Sequence, residues 1–208
     1  MPESPTQPNA RPAAIDKRRA ILDAAIRVFA RQGYHATRVS DIANEAGVAY
    51  GLVYHYFRSK EAVMTELFTE RWSLLLAAGE QLMDGRQSPQ DKLDSIAAFI
   101  IDSYRYDPDL MKVIIIEVTR AANSFGRTHL PEIRQAYGQV ARIVVEGQEQ
   151  GVFRPEIDPD FVGMAYYGAI EAMLSGWVFE LMPSTDEEFD GAREMVVGLI
   201  CEGLERRP

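Results

Sequence analysis

The stretch Val39-Ser40-Asp41-Ile42-Ala43-Asn44-Glu45-Ala46-Gly47-Val48-Ala49-Tyr50-Gly51-Leu52-Val53-Tyr54-His55-Tyr56-Phe57 decides the fold of this chain. It reads as two short helices that cross steeply over a turn of about four residues. Ala43 is small where the second helix packs against the first, and Gly47 takes the turn, where a left-handed backbone suits glycine alone. Val48 tucks beneath the turn, Ile42, Ala46 and Val53 line the inner faces, and Phe57 closes the unit. Removing these inward residues leaves Tyr50, Gly51, Leu52, His55 and Tyr56 on the outer face of the second helix, with Tyr54 near its edge. A helix that stands proud of its core in this way fits the major groove of DNA. The face is aromatic and polar and carries no arginine. Base reading is therefore expected through apolar contact with thymine methyls and hydrogen bonds from tyrosine and histidine.

The formal net charge of −9 argues against a nucleic-acid partner until its distribution is read. Residues 1–60 carry nine Lys/Arg against five Asp/Glu, and residues 61–208 carry thirteen against twenty-six. A basic head on an acidic body directs only the head toward a polyanion. Phosphate anchoring is expected from Arg38, Lys60, the helix start at Ser40 and the cluster Lys17, Arg18 and Arg19. Tyr54 and Tyr56 divide evenly between such a surface role and an aromatic core cluster with Phe57.

Helical periodicity runs through nearly the whole chain, so the expected fold is all-α, with helices at 14–32, 39–46, 50–56, 59–83, 89–106, 108–122, 130–150, 159–181 and 185–205. Capping side chains followed by proline mark three starts, at Ser88-Pro89, Asp107-Pro108 and Asp158-Pro159. Ser184 with Glu187 forms a candidate capping box, and Gly33 and Gly151 are expected helix stops. Three parts follow: a polar tail at 1–12, a helix-turn-helix domain at 13–60 and a body at 61–208. The tail carries four prolines and no apolar h-region, and reads as neither signal peptide nor anchor. Apolar runs such as Leu74–Ala78 and Val113–Ile116 are far short of the ~20 residues of a membrane span. A lone Cys201 permits no internal disulfide and fits a reducing cytoplasm.

One short recognition helix covers few base pairs, so a homodimer on a palindromic operator is expected. The last two helices are the interface candidates, through Gly163, Gly168, Ala172 and Gly176 in one and Met195, Val196, Leu199 and Ile200 in the other. Burial within the protomer's own core carries equal weight for each. The middle helices are rich in aromatic and methionine side chains, most of them expected to be plain core, and a pocket left between the helices is expected to draw on Trp72, Phe99, Tyr104, Met111, Ile115, Phe125, Tyr137, Tyr167, Met173 and Trp177.

The head resembles the TetR family of repressors through Ile21-Leu22-Asp23-Ala24-Ala25, Phe29, Gly33-Tyr34, Thr37, Asp41-Ile42-Ala43, Ala46-Gly47-Val48, Gly51, Val53-Tyr54-His55-Tyr56-Phe57 and Ser59-Lys60-Glu61. The resemblance implies a three-helix DNA-binding head, a long connecting fourth helix and a body that binds ligand and dimerises through four helices. By position it assigns Tyr50, Gly51, Leu52 and His55 to base reading, and Tyr54, Tyr56 and Lys60 to phosphates. Arg38 departs from the family's usual Thr or Ser at the start of the second helix, which places its capping role in question. The body, through Gly151-Val152-Phe153-Arg154, Asp158-Pro159, Tyr167-Gly168-Ala169-Ile170-Glu171 and Trp177-Val178, resembles the family's fatty-acid-metabolism repressors. That similarity implies a small apolar effector of the acyl-CoA class, with Arg105, Arg120, Arg127, Arg134 or Arg142 available to its phosphates.

No G-x-S-x-G, H-E-x-x-H, P-loop or G-x-G-x-x-G pattern occurs, so an enzyme is not expected. His129 and the other histidines lack partners at metal spacing, and neither metal nor cofactor is expected. The competing reading is a helical interaction or ligand-binding module that has lost sequence-specific DNA binding.

Overall fold

The computed structural model describes residues 11–119 and 129–205. Among these lie nine helices: α1 Arg11–Gln32, α2 Val39–Glu45, α3 Tyr50–Tyr56, α4 Lys60–Met83, α5 Pro89–Tyr106, α6 Pro108–Thr119, α7 Leu130–Glu149, α8 Pro159–Val178 and α9 Asp186–Leu204. The far end of the expected 108–122 helix, and the tail before residue 11, lie outside the described residues. The one extended pairing described is an isolated antiparallel bridge between Phe153 and Glu205.

The helix starts follow from local chemistry. Ser88 Oγ accepts the Asp91 N–H at 3.1 Å, Asp107 Oδ1 accepts that of Leu110 at 3.0 Å, and Asp158 Oδ1 accepts that of Asp160 at 2.9 Å. The last cap falls one residue later than expected: Thr185, not Ser184, accepts the Glu188 N–H at 3.3 Å. Ser184–Glu187 and Thr185–Glu188 offer the same spacing, so sequence leaves two registers open and packing chooses between them. Helix α8 also stops short of 181. Glu180 turns left-handed at φ 56° and the Leu181 N–H closes back on the Gly176 carbonyl at 2.8 Å, a Schellman-type ending without glycine.

Two compact units divide between Leu67 and Phe68, inside α4 and not at the expected 60/61 boundary. The reason is burial: Val63, Met64 and Leu67 are core residues of the first unit. In that unit Ile42 and Val53 are fully buried, with Ala43, Phe57 and the α1 residues Ile21, Leu22, Ala25 and Phe29. Gly47 turns at φ 63° and the Val48 N–H closes on the Ala43 carbonyl at 3.0 Å. Val48 and Ala46 are only half-buried.

The second unit is built around Leu93, Ile96, Ile101, Val140, Val144, Phe153, Tyr166, Ile170 and Trp177. Lys92 is 1% exposed, and its ammonium donates to both Glu146 carboxylate oxygens at 2.7 and 2.9 Å. Close helix approach depends on missing side chains. A Cβ at Gly79 would overlap the Gln139 amide, whose Nε2 donates to the Leu76 carbonyl at 2.8 Å and to Glu80 Oε1 at 3.0 Å. A Cβ at Gly163 would lie 2.6 Å from the Tyr137 carbonyl oxygen, and one at Gly176 would lie 2.8 Å from Met182 Sδ.

These contacts correct part of the interface expectation. Gly163, Gly176 and Val196 are buried within the protomer, because their small or apolar surfaces already meet α7, the α8–α9 connection and the core. Gly168, Ala172, Met195 and Leu199 face open space, and Ile200 is half-buried.

Gly163→Ala is expected to destabilise the protein by about 1–3 kcal/mol, since its methyl meets backbone that cannot rotate away. Gly191→Ala on α9, where a Cβ meets nothing within 4 Å, is expected to stabilise by about 0.5–1 kcal/mol through helix propensity. Urea unfolding of both variants checks the contrast.

Candidate nucleic-acid interface and ligand cavity

Helix α3 presents the face that the sequence leads one to expect. Tyr50 and Tyr54 are 53% and 43% exposed, Gly51 and His55 are exposed, and Leu52 and Tyr56 are half-buried, while Val53 and Phe57 point into the core. Tyr54 thus leaves the core cluster for the surface. The Tyr50 and Tyr54 rings meet edge-on at 5.0 Å, and the Tyr50 hydroxyl donates to that of Tyr54 at 3.1 Å. The neighbouring Tyr50 hydroxyl, with some loss of hydration, raises the Tyr54 pKa above the ordinary phenol value. His55 packs edge-on against Tyr56 at 5.2 Å. Two stiff aromatic side chains, one imidazole and a bare Gly51 backbone make a surface suited to flat base edges and methyl groups.

The cations divide into those engaged inside the protein and those left for a polyanion. Lys60 corrects expectation: its ammonium donates to the carbonyls of Tyr34 at 2.7 Å, Thr37 at 2.9 Å and His35 at 3.3 Å, and sits 4.4 Å from the Tyr34 ring centre. All three of its protons are committed to holding the α1–α2 loop. Arg18 pairs with Glu66 and lies over the Phe57 ring, and Arg19 pairs with Asp23 at 2.8 Å, so this part of the expected cluster is occupied. Arg27 and Arg31 both hold Glu45, whose carboxyl the two guanidinium hydrogen bonds keep below its ordinary range. Lys17, Arg38 and Arg58 are exposed and form no ion pair among the described residues. Arg58 is a candidate the sequence reading passed over. Arg38 does not cap α2 with its side chain. Asp41 instead reaches back to accept the Arg38 N–H at 2.9 Å, and that bond lowers the Asp41 pKa. Ser40 lies in the first turn of α2, half-buried.

In the second unit a cavity of about 130 Å³ is lined by Arg71, Trp72, Leu75, Ile100, Met111, Ile114, Ile115, Ile133, Tyr137, Tyr167, Ile170, Glu171 and Leu174. Of the side chains expected around a pocket, Trp72, Met111, Ile115, Tyr137 and Tyr167 are in this lining. Tyr104 and Trp177 are not: with Phe189 they form an aromatic cluster with centroids 4.8–5.9 Å apart, which is plain core. Phe99 lies beneath the Arg71 guanidinium at 4.7 Å, Met173 packs against the core away from the lining, and Phe125 lies outside the described residues.

The charged members of the lining, Arg71 and Glu171, were not expected there, because their helical spacing alone gives no sign of tertiary burial. Burial lowers the Arg71 pKa and raises that of Glu171. Among the arginines expected to meet phosphates, Arg105 is held by Asp190, Asp102 and Asp186, and Arg142 by Glu80. Arg134 is exposed, and Arg120 and Arg127 lie outside the described residues. His129 is buried against the Phe68 ring at 4.1 Å, and no group of metal-binding side chains gathers among the described residues.

Comparison with known proteins gives this geometry a family context. Residues 21–67 match the family described as "Bacterial regulatory proteins, tetR family", and residues 89–200 match "Tetracyclin repressor-like, C-terminal domain". The chain is 28% identical over 190 residues to the fatty acid metabolism regulator protein of Bacillus subtilis, covering 90% of this chain and 95% of that one. It is 30% identical over 165 residues to the HTH-type transcriptional repressor KstR2 of Mycolicibacterium smegmatis, covering 77% and 76%. The fold superposes with a TM-score of 0.80 on the transcriptional regulator FadR from Bacillus subtilis in complex with stearoyl-CoA, at 24% identity over 90% of this chain and 99% of that one.

Lys60→Met is expected to lower the stability of the first unit by about 2 kcal/mol, because three loop carbonyls lose a charged donor. The slope of log binding constant against log salt should stay unchanged. A slope smaller by about one would instead make Lys60 a phosphate ligand.

Proposed function

The chain belongs to the TetR family of bacterial regulatory proteins, and on that premise we propose that it is a ligand-responsive transcriptional repressor that releases its operator when a small apolar effector fills the cavity of the second unit. The observation that carries this reading is the exposed aromatic face of α3 in a head whose remaining free cations are Lys17, Arg38 and Arg58 among the described residues. Tyr50, Gly51, Leu52 and His55 read base edges. Tyr54, Tyr56, Ser40 and the three cations meet phosphates.

The protein acts as a homodimer on a palindromic operator in the cytoplasm. Support for the dimer comes from the apolar stripe that α8 and α9 leave uncovered: Phe161, Met164, Met195 and Leu199 are 63%, 53%, 63% and 69% exposed, beside the open positions Gly168 and Ala172. Several large apolar side chains left exposed on two helices favour an association site there. Two heads spaced by a helical turn of DNA, roughly 34–36 Å, then occlude a promoter. The effector is of the acyl class, supported by the relation to the fatty acid metabolism regulator and by the predominantly apolar lining of the cavity. An effector shifts the equilibrium only by its differential affinity for the two states, commonly ~1–3 kcal/mol.

Gel shift with the intergenic DNA upstream of the gene is expected to show retardation that weakens steeply with salt. Absent or salt-insensitive binding would favour a module that has lost DNA recognition. Tyr50→Ala and His55→Ala should each cost about 1–3 kcal/mol on the operator and almost nothing on random DNA. Leu199→Glu should convert the dimer to a monomer by light scattering and abolish operator binding. A variant that remains dimeric moves the interface elsewhere.

A further inference from the structure

The cavity is not a plain hydrocarbon slot. Nine of its lining residues are apolar, and the other four, Arg71, Tyr137, Tyr167 and Glu171, bring polar groups to its wall. Tyr167 and Glu171 stand one turn apart on α8, and the Tyr167 ring packs on Tyr137 of α7 at 5.2 Å. Electrostatic coupling runs from Tyr167 to Tyr137 and from Tyr137 to Glu171, so these groups are mutual neighbours. The Tyr167 residue is 8% exposed, and its hydroxyl is buried with no hydrogen-bond partner. A buried hydroxyl without a partner has lost its hydration with nothing in return, a penalty that a ligand atom can remove.

Arg71 is the second observation. Its guanidinium stacks on Phe99 and donates weakly to the Phe99 carbonyl at 3.5 Å, yet no carboxylate forms an ion pair with it among the described residues. Glu171 lines the same cavity without closing that gap, and burial raises its pKa. A guanidinium without an ion-pair partner among the described residues, in a largely apolar cavity that also holds the unpartnered Tyr167 hydroxyl, is complementary to an anion with two acceptor oxygens.

We propose that the effector places a carboxylate inside this cavity, bound by Arg71 with Tyr167 as a supporting donor, and that its apolar part packs against Trp72, Leu75, Ile115 and Leu174. This deepens the reading of the cavity as the effector site and rests on it. The carboxylate has two chemical sources, the head of a free hydrophobic acid or the far end of an acyl thioester that carries a second acid group.

Calorimetric titration of the full-length protein with two matched pairs tests the inference: octanoate against methyl octanoate, and suberyl-CoA against octanoyl-CoA. In at least one pair the carboxylate-bearing member is expected to bind tenfold or more tightly, and the pair that shows it identifies the source. Arg71→Met, checked for folding by its far-UV helicity, should erase that preference, and Arg71→Lys should keep part of it. Should Arg71→Met not fold, the wild-type ratios and Arg71→Lys still decide. Equal affinity within both pairs, or a preference that survives in Arg71→Met, overturns the inference and leaves the effector site standing. If no member of either pair binds, the effector reading of the cavity falls and takes the inference with it.

Discussion

One constraint governs the rest: helix α4 must belong to two cores at once. Its early residues Val63, Met64 and Leu67 are buried in the first unit, and its later residues Arg71, Trp72 and Leu75 line the cavity of the second. Helix α4 carries no proline, so its backbone ladder runs unbroken through both sets of residues. Lys60 begins that element and pins the α1–α2 loop to it through three carbonyls, so the loop before the helix-turn-helix is tied to the helix as well.

The charge of the head has a similar internal logic. Three of its arginines tie the helices of this small unit together: Arg27 and Arg31 clasp Glu45 across α1 and α2, and Arg18 bridges to Glu66 on α4. A unit this small has little apolar surface to bury. What remains for a polyanion is modest, and the exposed face of α3 carries no formal positive charge. On the proposed reading, affinity rests on scattered cations and selectivity on phenols, an imidazole and backbone.

Much of the fold was legible because its signals are local. A serine or aspartate before proline fixes a helix start through its own next turn, and Gly47 fixes the helix-turn-helix through a single backbone angle. Where two local signals compete, as at Ser184 and Thr185, the reading slips by a residue. The site was legible to the extent that it lies on one element: the outward face of α3 follows from periodicity alone. The cavity draws on five helices, and which aromatic reaches it depends on packing. Tyr104 and Trp177 turn away to meet Phe189, and Arg71 and Glu171, which read as ordinary surface charges, turn in. Lys60 was read as a surface cation for the same reason. No short-range pattern reveals that carbonyls 23 to 26 residues earlier in the chain claim its protons.

Gly79 and Gln139 belong to different helices, yet each defines what the other is allowed to be. Any side chain at 79 collides with the amide at 139. Shortening 139 to make room removes the donor that serves Leu76 and Glu80. A side chain at 79 therefore shares the space only if that amide swings aside, so a change on one helix is felt as lost bonds on the other.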